Sequence, residues 1–226
     1  MQSSTAGTGD DSHSFSSHHQ SHDEHDARGP QSRAPAIATG TPPFFKPEFE
    51  EAYQFILRHY RIPEREVAVF LPCSVKKPYS SSSSHRRFDQ VISRALPPEQ
   101  VHVVVFGTCG VVPRELELMY PYASYRYMLG RCPDPAVHRS FLRIETVRLE
   151  GYLKKTATTY QHRVAYCLGE FREAMRAASA RTGIKVTLVP SDEAIAACRD
   201  PSARFPDGSL SMAEYLEEFE AVLRSL

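Results

Sequence analysis

The sequence predicts an α/β fold: a three-layer domain with a mainly parallel sheet of about four strands flanked by helices, after a disordered N-terminal tail. Three observations carry that reading. Four short apolar runs, rich in β-branched residues, are bounded by Pro or Gly. Segments of helical period lie between them. The chain has 226 residues, 41% of them hydrophobic, which suits one domain with a real core plus a tail.

The elements follow in order. Residues 1–43 are Ser, His, Asp, Gly and Thr with almost no apolar side chain, so burial cannot offset the entropy of ordering them. His13, His18, His19, His22 and His25 sit there. A His-rich tract can bind metal, but without a fold to fix ligand geometry it reads as a solvated tail. The domain is expected over 44–226. Phe49, Tyr53, Ile56 and Tyr60 recur at helical spacing up to Pro63. Val67 to Leu71 is the first buried strand, closed by Pro72. Ser81 to Ser84 suit a loop and a helix N-cap, and Phe88, Val91, Ile92 and Ala95 continue that helix to Pro97. Val101 to Phe106 is the second strand, closed by Gly107. Pro113 is expected to open a short helix through Leu118, and residues 120–136 to be irregular.

Val137 to Thr156 is helical by pattern. Beyond it, one long helix competes with a strand at Arg163–Leu168 followed by a helix from Gly169 to Arg181. The strand is preferred, because the alternative makes one helix of roughly forty residues. Lys185 to Val189 is the fourth strand. Met212 to Leu226 is an amphipathic helix, expected to be capped by Ser209 or Ser211.

Formal net charge is zero, yet the charge is segregated. Residues 58–199 carry 22 Lys and Arg against 13 Asp and Glu, a net +9. Residues 1–43 carry −3 and residues 200–226 carry −4. An RNA partner is therefore allowed. No apolar run reaches the ~18 residues of a membrane span, and the polar start is not a secretory signal. Five cysteines at 73, 109, 132, 167 and 198 form no CxxC pair, which argues against a zinc ribbon or a disulfide scaffold and for a reducing cytoplasm. No Gly-Lys-Ser/Thr loop is present, so ATP is not implied, and no cofactor is expected.

In open α/β sheets ligands gather beyond the carboxyl ends of strands. That points to residues 72–87, which hold Pro72, Cys73, Ser74, Lys76, Lys77, Pro78, Tyr79, the serines 80–84, His85, Arg86 and Arg87. Cationic neighbours favour a Cys73 thiolate, and such a thiolate attacks electrophilic carbon. His85 is expected to move protons near neutral pH. The amides opening the next helix, with Arg86 beside them, suit an anion. Taken singly, each feature reads more simply: a small buried thiol, a flexible serine loop, a solvated Lys pair.

The pattern Pro72-Cys73-x3-Lys77-Pro78-Tyr79-x2-Ser82-x2-His85 resembles the signature of the archaeosine synthase alpha subunit family, relatives of the archaeal tRNA-guanine transglycosylases. A second stretch, Gly110 to Glu117 with Tyr120-Pro121 and Tyr125, resembles another part of the same domain. The resemblance covers roughly residues 50–190, the family's α/β domain alone. It implies action on 7-cyano-7-deazaguanine already placed in tRNA, with the amine of free lysine joined to the nitrile. It also implies a separate transglycosylase-like partner and a separate radical enzyme for the later cleavage. The motif residues map onto Cys73, Lys77, Tyr79, Ser82 and His85, with Cys73 either covalent or lining the pocket. The stretch Gly107-Thr108-Cys109 departs from the family's approach to this second motif.

With the resemblance, Arg114 and Glu115 become candidates for substrate contact across from Cys73. Without it they read as a capped helix start. Tyr120, Tyr122, Tyr125 and Tyr127 with Arg126, Arg131 and Arg139 suit either RNA stacking or a packed cover, and the packed cover is preferred. The expected function is thus an archaeosine-synthase-like tRNA-modification domain. The alternative is a non-catalytic tRNA- or partner-binding module using the same loop.

Overall fold

Strand β1 (Val67–Pro72) opens a sheet whose spatial order is β3-β2-β1-β4-β5. β2 (Val101–Gly107) lies beside it in parallel, with Val67 opposite Val101. β4 (His162–Tyr166) lies in parallel on the other side, and β5 (Thr187–Val189) continues parallel beyond it. β3 (Gly110–Pro113) pairs antiparallel with β2 at the edge. The computed structural model describes residues 40–203 and 205–226, all within the compact unit Ile37–Leu226. Of the expected tail 1–43, residues 1–39, with His13, His18, His19, His22 and His25, lie outside the described residues, whereas Pro43 is buried and opens a 3-10 turn that joins the domain.

Strand alternation decides which helix packs where. Val67, Val69 and Leu71 of β1, with Val164 and Tyr166 of β4, face α2 (Ser83–Ala95) and α6 (Ala213–Arg224). Phe88, Val91, Tyr215 and Phe219 fill that layer, and the rings of Tyr166 and Phe219 stack at 4.3 Å. Ala68 and Phe70, with Val104 and Phe106 of β2, face α1 (Pro47–Arg58), α3 (Pro135–Lys155) and α4 (Gly169–Thr182). The result is the predicted three-layer α/β sandwich. The strand reading of residues 163–168 is upheld, with bounds 162–166. β4 ends in buried side chains, and α4 starts afresh at Gly169, whose φ is +53°.

Several local expectations need correction. The sheet has a fifth strand: Val111 and Val112 pair with β2, where a short helix was expected to open at Pro113. Gly107 and Gly110 take positive φ on either side of the Thr108-Cys109 turn, a tight hairpin that patterning of the two valines alone did not reveal. Only a 3-10 turn, Arg114–Leu116, follows. β5 is shorter than expected, and α5 (Asp192–Cys198), capped by Ser191, was not expected at all. The N-cap of α6 is Met212, with no side-chain capping bond; the Ser209 hydroxyl accepts the Ser211 N–H instead. Among the described residues no helix is long and apolar enough to cross a membrane.

Candidate functional site

The order β2-β1-β4 places the reversal of strand order beside β1, so the crevice of this fold opens beyond its carboxyl end. Cys73 is the first residue past that end. Its N–H donates to the Phe106 carbonyl at 2.8 Å, tying it to the end of β2. A cavity of about 540 Å³ opens there. Cys73, Ser74 and Lys76 line it, Ser82, Ser83 and Ser84 bring hydroxyls, and Phe88 and Phe171 supply apolar wall. Ser209 and Ser211 close the far side.

The Cys73 sulfur is held by the β2–β3 turn. Thr108 Oγ1 lies 3.4 Å away. The thiol is pulled down to about 5, first by a hydrogen bond with Cys109; burial opposes this, and the Lys77 ammonium and Thr108 add to it. Cys109 is the complementary partner. It is fully buried, and burial followed by the hydrogen bond with Cys73 pushes its own thiol well up. Cys109 therefore keeps its proton, and its Sγ lies 3.4 Å from the Gly110 carbonyl it donates to. Gly107 makes the close approach possible: a Cβ there would sit 3.0 Å from Cys73 Sγ and would overlap the Phe171 ring.

Lys77 does not line the cavity. It lies beneath the loop, donates to the Ser74 and Val75 carbonyls, and sits 3.8 Å from the centre of the Tyr125 ring. Burial lowers its pKa, while the charges of Cys73 and Cys109 work the other way. The Lys77–Pro78 bond is cis. Tyr79 is fully buried, with its hydroxyl 3.0 Å from that of Tyr125. Ser82 is the N-cap of α2, its hydroxyl accepting the His85 N–H.

His85 is fully buried. Its Nε2 lies 2.9 Å from the Pro72 carbonyl and its Nδ1 lies 3.0 Å from Arg114 Nη2. Only a donor satisfies a carbonyl and only an acceptor satisfies a guanidinium, so the proton sits on Nε2. Burial, then the Arg114 charge, pull its pKa down to about 4. The ring is therefore neutral at pH 7 and joins Pro72 to Arg114, whereas the sequence reading expects it to move protons near neutral pH. Arg114 also makes a bidentate pair with Asp89, at 3.0 and 3.1 Å. Arg86 and Arg87 are exposed.

Glu115 is not brought to Cys73. It is half exposed and pairs at 3.2 Å with His102, the second residue of β2, whereas Cys73 binds the sixth, Phe106. The antiparallel run of β3 carries it back along β2. Glu117 reaches the motif loop instead: its carboxylate accepts the Ser80 N–H at 2.9 Å and the Ser80 hydroxyl at 2.5 Å. Of the tyrosines, Tyr122, Tyr125 and Tyr127 are buried as packing and Tyr120 is 68% exposed. Sequence reasoning passed over Thr108, Glu117 and Glu145 as site residues. Glu145, on α3, accepts the Gly107 N–H at 2.9 Å from the far side of the turn. Among the described residues no group of three or more His, Cys, Asp or Glu could hold a metal ion.

The arrangement is a stabilised thiolate at the mouth of a partly apolar cavity with hydroxyls around it. It suits nucleophilic addition to an electrophilic carbon. A protein-family profile described as a domain of unknown function (DUF5591) matches residues 50–199. An archaeosine synthase subunit alpha from Methanosarcina acetivorans is 33% identical over 140 residues, covering 61% of this chain and 21% of the relative. An archaeosine synthase from Haloferax volcanii is 42% identical over 71 residues, covering 31% of this chain and 11% of the relative. The chain thus spans about a fifth or less of the length of these curated relatives. The crystal structure of AF0587, a protein of unknown function, matches with a TM-score of 0.51 at 18% identity, over 77% of this chain and 50% of that one. That likeness shows the fold alone.

Proposed function

The chain belongs to the DUF5591 family, and on that premise we propose that it is a tRNA-modification domain of archaeosine-synthase type with Cys73 as its nucleophile. The observation that carries this reading is the place of Cys73, just past the carboxyl end of β1 in the wall of the cavity of about 540 Å³, with Thr108 Oγ1 3.4 Å from its sulfur. The substrate class follows from the motif and from the relatives named archaeosine synthase.

The chemistry has two steps. The Cys73 thiolate adds to the nitrile carbon of 7-cyano-7-deazaguanine in tRNA; a C–S bond forms, one C–N π bond breaks, and the nitrogen takes a proton, giving a thioimidate. The free amine of lysine then adds to that carbon, and the C–S bond breaks. The thiolate returns and a lysine-substituted amidine remains. The proton that lysine's ammonium sheds to become a nucleophile ends on the amidine, so the sum is balanced.

In this reading Lys77, Thr108 and Cys109 stabilise the sulfur anion before attack and after release. His85, Arg114 and Asp89 fix the entry of α2 and act as positioning residues. Tyr79 and Pro78 shape the loop. Ser74, Lys76 and Ser82, with the Pro72 backbone, meet substrate from the cavity wall. Arg86, exposed at the start of α2, takes a tRNA phosphate. Glu115 has no role. Delivery of the base falls to a transglycosylase-like partner, and the later cleavage to a separate radical enzyme.

The test is incorporation of labelled lysine into tRNA bearing the nitrile base, with this chain and its partner present. Cys73→Ala is expected to abolish incorporation. Incorporation at the parent rate by Cys73→Ala would overturn covalent catalysis. Tight tRNA binding with no incorporation by any form of the chain would favour the binding-module reading.

A further inference from the structure

We propose that Glu145 is a positioning residue for the Cys73 nucleophile, acting through the Gly107-Thr108-Cys109 turn. The inference rests on the reading of Cys73 as nucleophile. Glu145 projects from α3 and is 0% exposed. Its Oε1 accepts the Gly107 N–H at 2.9 Å, and its Oε2 is buried with no hydrogen-bond partner. Arg148, three residues on, does not relieve it: Nε and Nη2 go to Glu50, and Nη1 has no partner.

A buried carboxyl with half of its capacity unused is costly, and an apolar side chain of similar volume would pack there more cheaply. Its single bond must therefore matter. Gly107 lies between the two residues that hold Cys73. The Phe106 carbonyl accepts the Cys73 N–H at 2.8 Å, and Thr108 Oγ1 lies 3.4 Å from the sulfur. Glu145 grips the backbone at the point between them. Clearance is small, since even a Cβ on Gly107 would stand 3.0 Å from Cys73 Sγ. A shift of the turn by a few tenths of an ångström changes both the backbone bond and the sulfur contact.

The charge state fits the role. Burial raises the Glu145 carboxyl to about 8, so at pH 7 it is neutral and does not repel a thiolate. The groups that face it are the Gly107 amide, Arg148 on its own helix, Cys73 across the turn, and the phenols of Tyr53 and Tyr122. Glu145→Gln keeps the neutral acceptor for Gly107. Glu145→Leu removes it, and Glu145→Asp withdraws it by one methylene.

The experiment is iodoacetamide alkylation of Cys73 in the full chain across a pH series, read by peptide mass spectrometry. The parent is expected to show a midpoint near about 5. Glu145→Leu should raise that midpoint by about one unit, roughly a tenfold loss of rate below it, while Glu145→Gln keeps the parent value. Should Glu145→Leu not fold, Glu145→Asp makes the same comparison against Glu145→Gln. Parent midpoints in both Leu and Asp, or a Gln midpoint displaced as far as Leu, would overturn the positioning role. A parent Cys73 that stays unreactive until about pH 8 would instead sink the nucleophile reading itself, and the two failures appear in different proteins.

Discussion

Replacing Gly107 by Ala tests the packing on which the site depends. The added methyl would overlap the Phe171 ring and stand 3.0 Å from Cys73 Sγ, at a residue whose φ is +133°. The ring cannot swing away freely, because Phe106 and Phe141 flank it with centroids at 6.0 and 5.2 Å. Backbone strain at such a φ costs on the order of 1–3 kcal/mol, and forcing a methylene into a filled core costs about 1–3 kcal/mol. The sum, roughly 2–6 kcal/mol, is a large share of a domain's stability. At roughly 2–4 °C per kcal/mol for this size, thermal unfolding followed by circular dichroism should fall by roughly 5–20 °C. Adding Phe171→Leu should restore the packing part and leave the backbone part. A Gly107→Ala protein that melts within about 1 °C of the parent would show that the turn tolerates a side chain at Gly107 and is not tightly packed against Phe171.

Other expectations concern the loop, the buried acid and the core. Glu117→Ala removes both partners of Ser80, so amide exchange at Ser80 should quicken and stability fall by about 1–3 kcal/mol. Glu145 has its pKa raised in the fold from 4.5 to about 8, so its protonated form stabilises the folded state. That contribution is full below about pH 4.5 and is lost as pH rises toward about 8. Urea denaturation of Glu145→Gln should therefore show a flatter decline across that window than the parent. Phe219→Ala opens a cavity against the stacked Tyr166 ring and should cost about 3–5 kcal/mol, read from the urea midpoint.

The central sheet was legible because its strands are short β-branched runs that pack on both faces, and burial on both faces leaves a continuous apolar signature. Val111 and Val112 carry the same signature in a four-residue strand, too short to stand out beside a helix start at Pro113. Helix α5 is seven residues long with no buried side chain, so it leaves almost no periodic signal. Cys73, Lys77 and Ser82 were legible as a motif next to a strand end. What their spacing cannot convey is direction. Lys77 turns under the loop toward Tyr125, and His85 turns inward to Pro72 and Arg114. Glu145 and Thr108 were invisible, because they meet Cys73 only through contacts between residues 35 or more apart in the chain. The second motif misled at Glu115, since its place depends on β3 turning back along β2.

The most direct test of the account is intact-mass and peptide analysis of the chain after incubation with tRNA carrying 7-cyano-7-deazaguanine, without lysine. An adduct on Cys73 is expected, one that free lysine discharges and that Cys73→Ser does not form. A modified tRNA that acquires lysine while no adduct ever appears on Cys73, or an adduct on a different cysteine, would contradict it.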